Sequence, residues 1–401
     1  MYKNISWHGI GQLSVIVYNG EKGRYIMPLA DVPQTQAIKY TGSKLKLLPY
    51  ILSMSKAVSG NPGETTVFDG FSGSTRVSQA YAKIGYTVYA NDIAPYSKVF
   101  NTAFLLNTKE PNDYQPLIDH LNSLKPVEGW FTEHYGGEGF YKESSSGDSF
   151  KKPWQKKNTR KLDAIREEID KLTLDEVTKS VAITSLIFAL DQVDNTLGHF
   201  ASYLNKWAPR SFNDMKLEVP KIGVNTQKNV VMNRDVFEAL KSLPDNTGIA
   251  YYDPPYGSNN EKMPPSRVRY ASYYHIWTTI CLNDRPELFG RSKRRTDTSD
   301  SIAGSVFENF RKGASGKFVI IEAIEKLIRE TGTNYIILSY SSGGRATANE
   351  LSDVLNSYGR IMDIKKIDYK KNVMAAMKWT EDWIKDTEEK NYEYLFLLER
   401  R

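Results

Sequence analysis

Short apolar runs alternate along the chain with segments in which apolar residues recur every three or four positions. The runs have the length and the β-branched and aromatic content of strands, and the spaced segments have the period of helices. The strand candidates are TVFD (66–69), TVYANDI (87–93), GIAYYD (248–253), NYIILSY (334–340), IMDIKKIDY (361–369) and YEYLFLLE (392–399). Helical patterns lie at 77–84, 317–329 and 351–358. This alternation predicts an α/β fold with a mostly parallel sheet.

Residues 101–225 break this rhythm. They contain a glycine-rich turn (136–139), a basic run (151–161) and two helical patterns, one amphipathic from Leu162 to Leu172 and one more apolar over 177–190. We therefore predict a mainly helical unit at 101–225, inserted into a discontinuous domain formed by 1–100 and 226–401. The first 35 residues contain a candidate hairpin, VIVYNGEKGRYIMPL, with no assigned role.

Composition narrows the class of protein. Of the 401 residues, 40% are hydrophobic and 25% charged, which is typical of a globular protein, and the net charge of +6 weakly favours an anionic partner. One cysteine and five histidines exclude a disulfide framework and do not suggest a zinc cluster, so we predict no metal. The apolar stretch 181–190 is too short to span a bilayer, and the N-terminus lacks a signal-peptide core. We expect a cytoplasmic protein without membrane contact.

The stretch VFDGFSGS (67–74) follows a strand and opens a helix. Gly70 and Gly73 permit a tight turn and a close approach of backbone to a ligand. Asp69 suits a ligand that carries an ammonium group, although the segment could be an ordinary strand–turn–helix junction. The next strand ends at Asn91–Asp92, where Asp92 could accept hydrogen bonds from ribose hydroxyls or merely form an Asx turn.

The stretch AYYDPPYG (250–257) places a carboxylate, two prolines and an aromatic ring after an apolar strand. The prolines stiffen the loop and donate no hydrogen bond, so it offers only acceptors. A nucleobase amine is a poor nucleophile because its lone pair is delocalised into the ring. Asp253 and the carbonyl of Pro254 could accept its two N–H groups and localise that lone pair, while Tyr256 stacks on the base.

Together these motifs resemble those of the Dam-type DNA adenine N6-methyltransferases. The matching segments are, in order, KYTGSK (39–44), DGFSGS (69–74), ND (91–92), RD (234–235), DPPY (253–256) and LSYSS (338–342). A long insert between the first glycine-rich loop and DPPY is similar to the alpha arrangement, in which the insert is the target-recognition domain. The resemblance covers most of residues 35–401 and implies a doubly wound, Rossmann-like methyltransferase sheet that binds S-adenosylmethionine.

The resemblance also implies roles for single residues. It places the methionine part of S-adenosylmethionine beside Tyr40, Gly42 and Lys44, and the amino acid end beside Asp69, Phe71 and Gly73. It assigns the ribose to Asp92 and the cofactor's adenine amine to Asp235. Two structural alternatives stay open: Lys39 and Lys44 could be solvated surface lysines, and Asp235 could be a helix cap.

The DNA-facing candidates lie in the predicted insert. The basic run 151–161 contains no acid and encloses Trp154; its cations are Lys151, Lys152, Lys156, Lys157, Arg160 and Lys161. Such a run suits phosphate contacts, or it is a solvated face. His199 and Tyr203 lie in a segment (194–207) that mixes amides and aromatics, as a base-reading surface does, although a structural role is the alternative. A second basic run, RSKRR (291–295), has the same ambiguity.

The resemblance implies a site-specific methyltransferase that modifies N6 of adenine in double-stranded DNA. The target base must leave the duplex to reach the loop at 253–256. A restriction–modification system would pair the enzyme with a cognate restriction endonuclease. The alternatives are N4-methylation of cytosine, which uses the same amine chemistry, and a catalytically silent, sequence-specific DNA-binding regulator.

Overall fold

The computed structural model describes residues 26–139, 152–204, 206–256, 269–299, 302, 304–309, 311–368 and 392–401. Most of the candidate hairpin at 15–29 lies outside these residues, as does Lys151. Within them, no helix is both long and apolar enough to cross a bilayer.

A seven-stranded sheet forms the centre of the fold. Its strands are β1 (Thr66–Asp69), β2 (Thr87–Asn91), β3 (Val230–Met232), β4 (Thr247–Tyr252), β5 (Tyr335–Ser341), β6 (Gly359–Asp368) and β7 (Tyr392–Arg400). The order across the sheet is β6–β7–β5–β4–β1–β2–β3. Strands β1 to β5 are parallel, whereas β7 is antiparallel to both of its neighbours. The predicted α/β fold with a mostly parallel sheet is confirmed.

Both faces of the sheet are buried along its central strands, and side chains alternate between these faces. Along β4, Ile249 and Tyr251 join one hydrophobic cluster while Ala250 and Tyr252 join the other. Helices cover each face, so the central strands contain apolar residues on both sides. This is why they appear in the sequence as continuous apolar runs.

Twelve α-helices lie in the described part of the chain: α1 (Leu48–Val58), α2 (Arg76–Lys83), α3 (Pro95–Leu105), α4 (Gln115–Ser123), α5 (Trp130–Tyr135), α6 (Lys156–Lys171), α7 (Glu176–Gln192), α8 (Val236–Leu240), α9 (Tyr270–Tyr273), α10 (His275–Leu282), α11 (Val319–Glu330) and α12 (Ala348–Tyr358). Helices α1 and α2 cover one face of the sheet, and α8, α11 and α12 cover the other. The predicted helical patterns correspond to α2, α6, α7, α11 and α12.

A third hydrophobic cluster holds the helical unit together. It contains residues of α4 to α7, but also Phe100 of α3 and Trp277 and Ile280 of α10. The helical core therefore extends beyond 101–225 on both sides. The division into a catalytic domain and a target-recognition domain stays a prediction.

The order of the strands determines where a ligand can bind. The chain moves from β1 outward to β2 and β3, and then returns to place β4 on the other side of β1. In open parallel sheets, such a reversal creates a crevice at the carboxyl ends of the two central strands. Asp69 ends β1 and Asp253 directly follows β4, so both motifs of the sequence lie at this crevice.

Candidate active site

A buried ion pair connects the loop at 253–256 with the segment before α1. The Nζ atom of Lys44 lies 2.9 Å from Oδ1 of Asp253 and 3.9 Å from Oε1 of Glu393. It also donates a hydrogen bond of 3.1 Å to the carbonyl of Gly42. Lys44 is 5% exposed, so the surface-lysine alternative is wrong for this residue.

The charges in this cluster shift one another's ionisation. Burial lowers the pKa of Lys44, but Asp253 and Glu393 more than offset this, so its pKa lies well above the ordinary value. Burial raises the pKa of Asp253 to about 7; Lys44 opposes this rise and Glu393 adds to it. Lys44 is therefore a permanent cation, whereas Asp253 gains or loses its proton near neutral pH.

Tyr256 is held by the same cluster. Its hydroxyl donates a hydrogen bond of 3.1 Å to Oε1 of Glu393, its ring centroid lies 5.3 Å from that of Tyr340, and the Lys44 ammonium is 5.7 Å from the ring. Sequence reasoning missed Glu393. The signal was present, because Glu393 directly precedes the apolar run YLFLL, and a charge that this run buries requires a partner.

The glycine-rich loop offers an unmet acceptor. Asp69 is fully buried; its Oδ2 accepts a hydrogen bond of 2.6 Å from the Ser78 hydroxyl, and its Oδ1 has no hydrogen-bond partner among the described residues. Burial raises its pKa to about 7, against the opposing effects of Ser78 and the nearby Phe71 N–H. A buried carboxylate oxygen without a partner is costly unless a ligand supplies the donor.

Two glycines keep this loop close to aromatic rings. A Cβ atom at Gly70 would lie 2.7 Å from the ring of Tyr252, and one at Gly73, whose φ is +48°, would lie 3.1 Å from the Tyr40 hydroxyl. Any side chain would collide at the first position, and the backbone would be strained at the second. The junction therefore has both glycines for steric reasons, whether or not a ligand binds.

Asp92 and Asp235 each have a structural partner and also face the cavity. Asp92 accepts hydrogen bonds from the Gly73 N–H (2.7 Å) and, in an Asx turn, from the Ala94 N–H (2.8 Å). Asp235 caps α8 by accepting from the Phe237 N–H at 2.9 Å. The Asx turn at Asp92 and the helix cap at Asp235, the two structural alternatives, are therefore both present. They leave room for ligand contacts, because a carboxylate has about four lone-pair sites.

All eight predicted cofactor-binding residues line one cavity of about 640 Å³, within the usual range for small-molecule sites. They are Tyr40, Gly42, Lys44, Asp69, Phe71, Gly73, Asp92 and Asp235. Asp253 and Pro255 of the catalytic loop line it too, whereas Pro254 and Tyr256 lie beside it. Sequence reasoning missed several lining residues outside the quoted segments: Val236, Tyr270, Ser305 and Phe307. The structure brings the predicted residues together, and their individual roles stay predictions.

Two tyrosines hold the segment 40–44 in place. The Tyr274 hydroxyl accepts a hydrogen bond of 2.7 Å from the Thr41 N–H, and the Tyr270 hydroxyl donates one of 3.2 Å to the Thr41 carbonyl. The Tyr274 ring stacks on Tyr40 at 4.5 Å between centroids. Lys39 extends the anchoring through its ion pair with Asp194, whose side chain is buried. The segment is thus fixed between the sheet and the helical unit.

Residues 156–161 of the basic run form the start of α6, and several of them have acidic partners in space. Lys156 and Arg160 pair with Glu128, and Lys157 pairs with Asp214 at 2.5 Å. Lys161 and Lys152 instead donate to backbone carbonyls. These side chains are at least partly exposed, and exposed ion pairs contribute at most about 1 kcal/mol, so phosphates could replace the carboxylates.

Three aromatic candidates for DNA contact are buried. Trp154 is 0% exposed, lies in the core of the helical unit and donates its indole N–H to the carbonyl of Leu190 at 2.9 Å. The prediction that it contacts DNA is wrong for this structure, because no indole surface is accessible. His199 stacks on Tyr273 at 4.5 Å, and Tyr203 donates to the Ser292 carbonyl. Both packing contacts match the structural alternative.

The second basic run is also internally engaged. Arg295 is buried and pairs with Asp284 and Asp297, each at 2.7 Å, while Arg294 lies 4.6 Å from the centre of the Phe289 ring. His275 is buried in α10. Among the residues the structure describes, no group of three His, Cys, Asp or Glu side chains converges as a metal site.

Comparison with known proteins connects this site to one family. The family of D12 class N6 adenine-specific DNA methyltransferases matches residues 40–309. The modification methylase StsI of Streptococcus sanguinis is 29% identical over 373 residues, covering 91% of this chain and 52% of the relative. The type II methyltransferase M.NlaIII of Neisseria lactamica is 25% identical over 375 residues, covering 90% and 99%. The chain thus spans about half the length of StsI and nearly all of M.NlaIII.

The Asp69 carboxylate generates a prediction about folding stability. Its folded pKa of about 7 lies above the ordinary value near 3.9, so the folded state retains a proton that the unfolded state has lost. Stability is therefore lost as pH rises from about 4 to about 7. Asp69→Asn removes this titration, so its free energy of unfolding relative to wild type should rise by on the order of 2–3 kcal/mol from pH 5 to pH 8.

Urea unfolding at several pH values measures this difference, without any ligand. Asp175→Asn provides the control, because the pKa of that exposed carboxylate is lowered to about 2 by its hydrogen bonds to Thr178, and it does not titrate between pH 5 and 8. If Asp69→Asn and wild type changed in parallel over this range, Asp69 would not carry a raised pKa.

Proposed function

Because the chain belongs to the D12 class of N6 adenine-specific DNA methyltransferases, we propose that it transfers a methyl group from S-adenosylmethionine to N6 of adenine in duplex DNA. One observation carries the proposal. Asp253, the acceptor suited to a nucleobase amine, opens onto the same cavity as Asp69, the unmet acceptor suited to an ammonium group. Methyl donor and methyl acceptor would therefore meet inside one pocket.

The cavity fits S-adenosylmethionine in size and in the kind of groups it presents. The buried Oδ1 of Asp69 lacks a donor that the methionine ammonium would supply. Asp92 and Asp235 line the cavity beyond it, where the ribose hydroxyls and the adenine amine would lie. When bound, the sulfonium supplies an electrophilic methyl carbon, and the chain's own residues supply orientation and charge.

The residues at 253–256 would prepare the amine for attack. Ionised Asp253 and the Pro254 carbonyl accept the two N–H groups of N6, which directs the nitrogen lone pair toward the methyl carbon. The C–N bond would form as the S–C bond breaks with its electron pair going to sulfur, and the methylated nitrogen would then release a proton to solvent. Asp253 lines the cavity directly after β4, so the base would have to rotate out of the duplex to reach it, with Tyr256 available for stacking.

We propose further that the modified sequence protects DNA from a cognate restriction endonuclease. The relatives StsI and LlaI are named modification methylases, and M.NlaIII is named a type II methyltransferase. The proposed host context is a bacterial restriction–modification system located in the cytoplasm. N4-methylcytosine would be the alternative product, and the assay below distinguishes it.

The reaction can be tested directly on the purified chain. With S-adenosylmethionine and unmodified genomic DNA, we expect N6-methyladenine in nucleoside digests and, by single-molecule sequencing, one short sequence context. Asp253→Asn should lower the single-turnover rate by at least about 10²-fold with little change in S-adenosylmethionine binding, because a charge-assisted hydrogen bond in the transition state is lost. The wild-type rate should rise with pH through about 7, as Asp253 ionises.

The outcomes of this test are distinct. N4-methylcytosine in the digest would establish the alternative chemistry on the same loop. DNA bound at a specific sequence without any modified base would establish a silent regulator. Turnover by Asp253→Asn within a few-fold of wild type would remove Asp253 from the mechanism.

The cofactor contact at Asp69 generates a second prediction. Asp69→Asn should weaken binding of S-adenosylmethionine by about 10- to 100-fold, because a charge-assisted hydrogen bond is worth about 1.5–3 kcal/mol. Isothermal titration calorimetry without DNA measures this, and S-adenosylhomocysteine, which retains the same ammonium, should be affected equally. An unchanged dissociation constant would make this loop purely structural.

The start of α6 remains the proposed phosphate-contacting surface. Replacing Lys156, Lys157 and Arg160 with Gln should reduce the slope of log binding constant against log salt by up to roughly 2.7, or about 0.9 per contact. Specific and nonspecific duplexes should weaken alike, because phosphates carry no sequence information. Lys326→Gln on α11, which packs against the sheet, is the matched control. If the salt-dependence slope of the triple variant equalled that of Lys326→Gln, the basic run would be a solvated face without phosphate contacts.

A further inference from the structure

We propose that Glu393 is a positioning residue for methyl transfer, which orients Tyr256 and shares the Lys44 ammonium with Asp253 so that Asp253 can turn to the target amine. The inference rests on the proposed function, and it concerns a residue far along the chain from the DPPY loop. Three observations carry it: the burial of Glu393, its two contacts, and its place at the edge of the sheet.

Glu393 lies at the catalytic edge because β7 runs against the other strands. Its partner in the register is Ser341, the last residue of β5, and β5 is parallel to β4. The start of β7 is thereby placed at the carboxyl ends of the parallel strands. Glu393 also faces the same side of the sheet as Leu395, which is the side covered by α1. Lys44 approaches from the segment that precedes α1.

The packing of Glu393 does not require its negative charge. The residue is 4% exposed, and its Oε2 has no hydrogen-bond partner within the described part of the chain. A glutamine could accept the Tyr256 hydroxyl equally well, without the cost of burying a carboxylate. The negative charge is therefore explained by what it does to Lys44 and Asp253.

The spacing of the three charges suits an exchange of partners. Lys44 lies 2.9 Å from Asp253 and 3.9 Å from Glu393, so a movement of about 1 Å changes which carboxylate it contacts. When the target amine donates its N–H groups to Asp253, Lys44 can withdraw toward Glu393 and remain neutralised. Without Glu393, Lys44 would have Asp253 as its one carboxylate partner in this cluster, and the amine would have to compete with it.

Several groups face Asp253 and must be counted in any pH experiment. They come from the segment before α1, from β1, β4, β7 and α9, and from its own loop: Lys44, Asp69, Tyr251, Glu393, Tyr270 and Tyr256. Lys44 lowers the pKa of Asp253 and Glu393 raises it. Asp69, Tyr251 and Tyr270 remain unchanged in all the variants that follow, and Tyr256 changes only in Tyr256→Phe.

The test compares Glu393→Gln with Glu399→Gln. Glu399 lies on the same strand but forms an exposed ion pair with Arg360, so it controls for a change of charge in β7. On the duplex identified by sequencing, Glu393→Gln should reduce the single-turnover rate about 10-fold or more with S-adenosylmethionine binding unchanged. The acidic limb of its pH–rate profile should shift to lower pH by at least about half a unit, because the pKa of Asp253 falls.

Lys44→Met should shift the same limb in the opposite direction, to higher pH. Opposite shifts from two neighbouring substitutions separate a charge effect from general damage, which would lower the rate without moving the limb. The ionisation can also be read without cofactor or DNA, from carboxyl ¹³C chemical shifts of labelled aspartate, with the Asp253 signal assigned by its loss in Asp253→Asn. Tyr256→Phe tests the second contact: combined with Glu393→Gln, its effect on rate should be less than additive.

Each outcome supports or overturns the inference. If wild type transfers methyl groups but Glu393→Gln matches Glu399→Gln in rate and pH profile, the inference is overturned while the proposed function stands. If Glu393→Gln fails to fold, two other measurements test the inference. They are the carboxyl ¹³C shifts of Asp253 in Lys44→Met and the methyl-transfer rate of Tyr256→Phe. An Asp253 shift that does not respond to Lys44 would overturn the inference. If wild type transfers no methyl group to DNA, the proposed function itself fails.

Discussion

One buried ammonium between two carboxylates fixes the geometry of this site. Lys44, Asp253 and Glu393 come from three distant parts of the chain, and the charge of each is tolerated in the interior because the others are there. Removing one partner of a buried pair typically costs about 3–5 kcal/mol, since it leaves an uncompensated charge. Folding therefore brings the segment before α1, the loop after β4 and the start of β7 together as a unit.

The topology of the sheet makes this convergence possible. Parallel strands deliver Asp69 and Asp253 to one edge, and the strand order reverses between them, which opens a crevice. An all-parallel sheet would deliver only strand ends to that edge. The antiparallel β7 adds the beginning of a strand, and with it a charged residue on a rigid element. Residues on strands hold their geometry better than residues on loops, as a reactive amine requires.

The sequence predicted the sheet and much of the site, for a physical reason. Buried strands contain continuous apolar runs, and the candidate site residues at 69, 92 and 253 lie at the ends of such runs. Glu393 was not predicted, because its role depends on the direction of β7, which apolar periodicity does not encode. Trp154 was assigned wrongly because a tryptophan among lysines has the same local pattern on a DNA-binding face as in a core. Likewise, the acids that pair with the basic run lie about 20 to 60 residues away.

Burial has the same effect on the two carboxyl groups that the proposed function assigns to the cofactor and to the target base. Asp69 and Asp253 both have pKa values raised to about 7, so the folded chain holds two carboxylic acids at the edge of ionisation. In water each would ionise freely and bind a ligand weakly, because solvent would compete for its hydrogen bonds. In the crevice each acts strongly on a partner that brings N–H donors. Oδ1 of Asp69 has no polar partner among the described residues, whereas Oδ1 of Asp253 lies 2.9 Å from the Lys44 ammonium. In the proposed reaction, Asp69 would accept its ligand directly, and Asp253 would exchange Lys44 for the target amine, which the shared ammonium would ease.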